Sequence, residues 1–270
     1  MMGSWMRGCR LLIDKIPSIR ILGVKVHLPT MNQALLVIDQ WIINRDKCRH
    51  LIASGMHGVM EARSNCEFRT VAEECDIFIP DGFSLVFIAK LRGFKTGGRV
   101  SGPDLMLRAC QHAADNGYSV YFLGDTPETL DLLVSSLTEK LPDLKVSGYY
   151  SPPFRSLTEL EKKEIIDTIN NSQTDILWVG LGLPKQEMWI YEHKHNLNVP
   201  VAIGVGAAFK FISGQVKRAP HWIGNNGFEW LWRLLLEPKR VWKRVLITGP
   251  HFVFCIVKES LDGAALYKTK

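Results

Sequence analysis

Asp175-Ile-Leu-Trp-Val-Gly180-Leu-Gly182-Leu-Pro184-Lys-Gln-Glu-Met-Trp-Ile190 is the stretch whose reading decides the fold. Ile176 to Val179 is a short apolar run of the kind that forms a buried strand, Gly180-Leu-Gly182 is a tight turn, and Pro184 suits the first position of a helix, where its missing N–H is not needed. A strand, turn and helix in this order aim backbone N–H groups and the positive end of a helix beyond the sheet edge, a setting that favours phosphate or diphosphate. Lys185 and Gln186 stand in the first helical turn, within reach of the same spot. Two glycines in a βα turn are also ordinary in any α/β protein, so the rest of the chain has to decide.

Working outward, the same unit recurs. Leu51-Ile-Ala runs into Ser54-Gly-Met-His57-Gly58, Ile77-Phe-Ile into Pro80-Asp81-Gly82, Val120 to Leu123 into Gly124-Asp-Thr-Pro127, and Val199 to Ile203 into Gly204-Val-Gly206. Helical lengths separate these runs, including one from Thr30, a plausible N-cap, through Ile43. Ile19 to Leu28 alternates in part as a further strand. The pattern predicts an α/β fold, a mostly parallel, helix-covered, Rossmann-like sheet whose five turns share one edge. In such sheets ligands sit beyond the carboxyl ends of the strands, where Asp81 projects; an Asp between Pro and Gly is equally a common turn residue.

The 270 residues, 46% of them hydrophobic, suffice for a large core. Charge is distributed unevenly. Residues 216–270 hold ten Lys or Arg against four Asp or Glu, a net of +6 that equals the charge of the whole chain and leaves the first 215 residues neutral. Trp222, Trp230, Trp232 and Trp242, four of the eight tryptophans, fall in this tail among Leu231, Leu234, Leu235, Val241 and Val245. Tryptophan with Lys and Arg beside an apolar stripe suits a helix lying on an anionic membrane surface, and the stripe is too apolar for a nucleic-acid groove. No apolar run reaches spanning length, since Gly249-Pro250-His251 interrupts the longest. The six cysteines and eight histidines show no metal-ligand spacing and no secretory leader precedes them, which suggests reduced thiols in a cytoplasmic protein without a metal site. The expected organisation is an arm (1–18), an α/β core (19–215) and a basic, Trp-rich, helical, membrane-associating appendage (216–270).

The ordered set Pro80-Asp81-Gly82, Arg99-Val-Ser-Gly-Pro-Asp-Leu105, Phe122-Leu-Gly124, Asp175 to Glu187, Ala202-Ile-Gly-Val-Gly206, Gly214-Gln-Val-Lys-Arg-Ala-Pro220 and Glu229-Trp-Leu-Trp-Arg233 through Glu237-Pro-Lys-Arg240 resembles the bacterial WecG/TagA/CpsF glycosyltransferases over roughly Ile19 to Phe254. The resemblance implies inverting transfer of a sugar from a UDP-sugar to a polyprenyl-diphosphate-linked saccharide at the inner face of the cell membrane, in surface polysaccharide synthesis. It makes Asp81 the general base, with Gln186 and Arg233 as its catalytic companions. Single-displacement inversion needs such a carboxylate to take the acceptor hydroxyl proton. Substrate contacts are expected from Ser54, His57, Arg99, Gly124, Gly180, Gly182, Lys185, Gly204, Gly206, Lys210 and Arg240. Arginine donors would stabilise the departing UDP, and the chain has no Asp-x-Asp motif, so neither metal nor other cofactor is expected. The competing structural roles are a helix cap for Gln186, a pair with Asp104 for Arg99, solvated charges for Arg233 and Arg240, and a turn position for His57.

Two departures bear on the donor. Ala53-Ser-Gly-Met-His57 replaces the Thr-x-Asn of many members, and Lys210 stands where an acid often follows the Gly-Val-Gly turn. N-acetylmannosamine, glucose and a uronic acid, whose carboxylate Lys210 would meet, are all admissible donor sugars. A non-catalytic nucleotide-sugar or lipid-binding subunit is the alternative from another class. An NAD-dependent oxidoreductase is a third, weakened because no Gly-x-Gly-x-x-Gly follows the first strand. No nucleic-acid partner is expected, and a homo-oligomer is left open.

Overall fold

The computed structural model describes residues 12–217, 229–236 and 238–268, with side chains except at Glu229, Arg233, Leu236, Arg240, Arg244 and 263–268. Residues 1–11 of the expected arm lie outside the described residues. Six strands form one wholly parallel sheet in the order β4 (Ile77–Pro80), β3 (Arg49–Ser54), β8 (Val201–Gly204), β7 (Ile176–Gly180), β5 (Ser119–Gly124) and β6 (Lys145–Tyr150). Each strand is short and apolar because both of its faces are covered. Leu51, Ile77, Phe122, Trp178 and Ile203 point to one face and pack against α1 (Met31–Asn44), α5 (Gly102–Asn116), α6 (Pro127–Lys140) and α9 (Ala208–Ile212). Ile52, Phe78, Leu123, Val179 and Ala202 point to the other, under α2 (Met56–Ser64), α3 (Cys66–Glu74), α4 (Phe83–Leu91), α7 (Glu159–Asn171) and α8 (Lys185–His193).

Thr30 caps α1 as its sequence suggested: its hydroxyl accepts from the Gln33 N–H at 3.1 Å while the Gln33 side chain accepts from the Thr30 N–H at 2.8 Å. The Ile19 to Leu28 run is not one strand but a hairpin, β1 (Ser18–Ile21) and β2 (Val24–His27), outside the main sheet. Leu22 and Gly23, with φ of 49° and 90°, make the two-residue turn whose twist suits paired strands. Among the described residues of the tail are α10 (Glu229–Leu236), α11 (Pro238–Lys243), one π-helical turn (Arg244–Thr248) and α12 (Gly249–Lys268). Gly249 and Pro250 follow the π-helical turn directly, so the helical path runs on without a non-helical residue from Pro238 to Lys268. Phe252 and Cys255 of α12 are buried in the cluster that also holds the hairpin and α4.

Candidate active site

Parallel register brings the strand ends together. Ser54 lies beside Pro80, Ile52 beside Gly204, Val179 beside Gly204, and Gly124 beside Gly180, so all five expected turns leave one edge of the sheet. The helices that follow neighbouring strands β3, β8, β7 and β5 pass to alternate faces. Such reversals open crevices above the strand ends.

Asp81 follows β4 directly. Its own N–H donates to the Ser54 carbonyl at 3.1 Å, and its Oδ1 accepts from the Gly102 N–H at 2.7 Å, the first residue of α5. The carboxylate therefore sits at the positive end of a 15-residue helix, which favours its negative charge and fixes its direction. Ser101 caps the same helix, its hydroxyl pairing with the Asp104 carboxylate and accepting from the Asp104 N–H at 3.4 Å. Arg99, half-buried, precedes Val100, whose N–H donates to the Pro80 carbonyl at 3.1 Å. That bond ties the arginine's segment to the strand carrying Asp81.

Gln186 is expected as a catalytic companion of Asp81, with a helix cap as its structural alternative. It is buried, and its carbonyl accepts from both the Gly182 N–H at 3.1 Å and the Gly206 N–H at 2.9 Å, joining the turns after β7 and β8. These two turn amides, read from sequence as available to a phosphate, are thus satisfied inside the protein. The Gln186 amide donates to Glu187 Oε1 at 2.9 Å, and Glu187 Oε2 lies 2.7 Å from His50 Nε2 on β3. His50 and Glu187 have no exposure at all. Gly204 makes room for this chain, since a Cβ there would stand 2.2 Å from Glu187 Oε1. Gly180 likewise admits the Phe209 ring, and Gly124 packs on the Gly180 carbonyl.

Lys185 is exposed at the start of α8, and Ser54 is buried at the end of β3, its hydroxyl packed on Gly58. His57 lies on the first turn of α2. The Lys210 ammonium is 3.6 Å from Asp125 Oδ1, so the charge that departs from the family pattern is matched by the turn after β5. Arg233 and Arg240 belong to α10 and α11, but their side chains lie outside the described residues. Among the described residues no group of three or more His, Cys, Asp or Glu is placed to hold a metal ion.

Beside Asp81 opens a cavity of about 590 Å³ between α4 and the tail. Asp81, Arg99 and Ser84 are its polar residues; Phe87, Leu91, Val241 and Val253 are among its apolar ones. Sequence reasoning passed over α4, although Phe83, Phe87 and Leu91 on one side and Leu85, Ile88 and Ala89 on the other make its stretch apolar all round, the mark of a helix with two apolar neighbours. It also passed over His50 and Glu187. The available signal was an acid at the helical spacing of Ile190 and His193, on the buried stripe of α8.

A parallel, helix-covered sheet binds its ligands in the crevice beyond the strand ends, which is where the Asp81 carboxylate is pinned. Residues 19–265 match the family described as Glycosyl transferase WecG/TagA/CpsF family. The chain is 28% identical over 232 residues, 86% of its length and 88% of the relative's, to a protein of Bacillus spizizenii named N-acetylglucosaminyldiphosphoundecaprenol N-acetyl-beta-D-mannosaminyltransferase. Proteins of the same name from Bacillus subtilis (28% identity, 74% of this chain and 76% of the relative) and Staphylococcus aureus strain NCTC 8325 (25%, 89% and 92%) are similar to it as well. The chain belongs to the WecG/TagA/CpsF family of glycosyltransferases.

Proposed function

We propose that this glycosyltransferase moves a sugar, with inversion, from a UDP-sugar to a saccharide carried on a polyprenyl diphosphate, in the synthesis of a cell-surface polysaccharide. The observation that carries the reading is the Asp81 carboxylate, held by the Gly102 N–H at the meeting point of the strand-end crevice and an apolar cavity. The names of the relatives, which specify a diphosphoundecaprenol-linked acceptor, support the same acceptor class here.

In this mechanism the acceptor hydroxyl oxygen attacks the anomeric carbon as its proton passes to Asp81. The bond from that carbon to the UDP oxygen breaks, and UDP leaves with the electron pair. Arg99 at the cavity, with Arg233 and Arg240 from the appendage, supplies the positive charge that the departing diphosphate requires. Ser54, His57, Gly124 and Lys185 line the strand-end edge where the donor lies. Gln186, Gly182 and Gly206 shape that edge through their mutual bonds, and Lys210 with Asp125 braces it. No metal enters the scheme, so chelation leaves turnover unchanged. The appendage, residues 216–270, rests on the inner face of the cell membrane.

The test measures thermal stabilisation by UDP, UDP-N-acetylmannosamine, UDP-glucose and UDP-glucuronate with and without magnesium, then turnover of Asp81→Asn. UDP compounds stabilise independently of magnesium, and the largest shift names the donor. Asp81→Asn keeps the UDP shift while turnover falls by about a hundredfold or more. Undiminished turnover would place the base elsewhere. The altered Ala53 to His57 segment favours one other reading, a binding subunit without catalysis; measurable turnover by the parent removes it.

A further inference from the structure

The cavity beside Asp81 has two facing apolar walls. One is α4, whose Phe83, Phe87 and Leu91 are 39%, 47% and 71% exposed; the rings of Phe83 and Phe87 stack with centroids 5.7 Å apart. The other is α12, whose Val253 and Val257 are 60% and 51% exposed. Apolar side chains left this open on both sides of one groove mark a site for an apolar ligand. The groove is also polarised: the charged residues of its lining, Asp81 and Arg99, stand at the end where α4 begins.

Arg92 is one half of a strut. Its guanidinium donates to Glu259 Oε2 of α12 at 2.5 Å, while Glu259 Oε1 accepts from the Leu22 N–H of the hairpin turn at 2.9 Å. Arg92 also donates to the Arg20 carbonyl at 3.0 Å. With Phe252 and Cys255 buried against the core, α12 is anchored at a set distance from α4, and the space between them is a feature of the fold.

We propose that this groove binds the isoprenoid chain of the acceptor itself, so that the units next to the diphosphate leave the bilayer and lie between α4 and α12. The inference rests on the acceptor class proposed above. A ligand with a polar saccharide and diphosphate at one end and a branched hydrocarbon beyond it matches the groove in order: among the described lining residues the polar ones, Asp81, Ser84 and Arg99, gather at one end and the wall farther along is apolar. Recognition of the saccharide and diphosphate alone would leave both walls without a partner. A chain held here also fixes the distance from membrane to Asp81, which presents the acceptor hydroxyl to the base.

The groove predicts affinity that rises with chain length in the absence of any membrane. Each buried methylene contributes about fourfold, until the groove is filled. The probes are inorganic diphosphate and geranyl, farnesyl and geranylgeranyl diphosphate, added to the full-length protein below their micelle-forming concentrations, with binding read by thermal stabilisation and calorimetry. Farnesyl diphosphate binds at least tenfold more tightly than inorganic diphosphate, and Val253→Trp, which fills the groove from an exposed position, removes most of that difference. Phe87→Gln, from the opposite wall, does the same, and a melting temperature near the parent's establishes that either variant is folded. Equal binding of inorganic and farnesyl diphosphate overturns the proposal. So does a chain-length dependence that both variants retain, which would be adsorption to the outer surface or contact between two copies. These readouts need no turnover, so failure of the transferase reading in the donor assays is a separate result.

Discussion

Glu187 is a carboxylate with no solvent exposure, and its two oxygens are divided between His50 Nε2 at 2.7 Å and the Gln186 amide at 2.9 Å. Buried ionisable groups are tolerated when hydrogen-bonded on every side and are strongly destabilising when one partner is removed. The chain from His50 through Glu187 and Gln186 to the N–H groups of Gly182 and Gly206 is therefore a cooperative unit that holds the turns after β7 and β8 in one arrangement. Glu187→Leu strands His50 and Gln186 together and is expected to lower stability by about 3–5 kcal/mol, measured by denaturant unfolding. His50→Leu in the same background adds less than it does alone, because its partner is already gone. Additive losses would show that the pair does not act as a unit. Gln186 was visible in the sequence beside a strand-end turn, but its partners were not: His50 is 137 positions from Glu187 and Gly206 is 20 from Gln186, separations that only the parallel crossovers close.

The hairpin of β1 and β2 covers β4, an outer strand of the six-stranded sheet, and His27 joins the two by accepting from the Phe78 N–H at 3.2 Å on Nδ1. An edge strand so occupied does not offer its amides to another chain. Burial, helped by the nearby Lys25 ammonium, lowers the His27 pKa from 6.5 to about 4. Its imidazole is neutral in the fold at pH values where the unfolded chain already binds a proton. The sign follows: this stability is fully present above about pH 6.5 and is lost as the pH falls toward 4, a change of about 3 kcal/mol. The protection factor of the Phe78 amide against hydrogen exchange is expected to fall across that window. His27→Asn, whose side-chain carbonyl takes the place of Nδ1, flattens the dependence relative to the parent; an unchanged slope would assign the titration to other groups. The hairpin's turn at Leu22-Gly23 is written in a left-handed glycine, yet an alternating run from Ile19 to Leu28 is just as compatible with a single strand. What decides is the register of Ile21 with Val24.

At the scale of the whole molecule, the exposed apolar side chains gather on the tail: Leu235, Trp242, Leu246, Ile247, Phe254 and Leu261 are all 42% exposed or more. Lys239, Lys243 and Lys258 stand among them. No helix of the described residues is long and apolar enough to cross a membrane. An apolar surface studded with cations and lacking a spanning helix suits attachment at an anionic interface, where each Lys or Arg contributes about 1 kcal/mol. Vesicles containing anionic lipid are expected to bind the full chain at least tenfold more tightly than neutral vesicles in co-sedimentation, with the difference shrinking as salt is raised. Equal binding to both would remove the electrostatic part of the attachment. The amino-acid sequence by itself determined the alternating strand and helix units, the shared edge, Asp81 at that edge and the charge division between core and tail, because each of these is a local pattern of periodicity, turn residues or composition. Tertiary structure alone decided that Gln186 spans two turns, that Lys210 answers Asp125, that His50 and Glu187 meet in the core, and that α4 and α12 face each other across a groove ending at Asp81. Those depend on which distant segments the crossovers bring side by side, and no spacing along the chain encodes a distance between strands that are neighbours only in space.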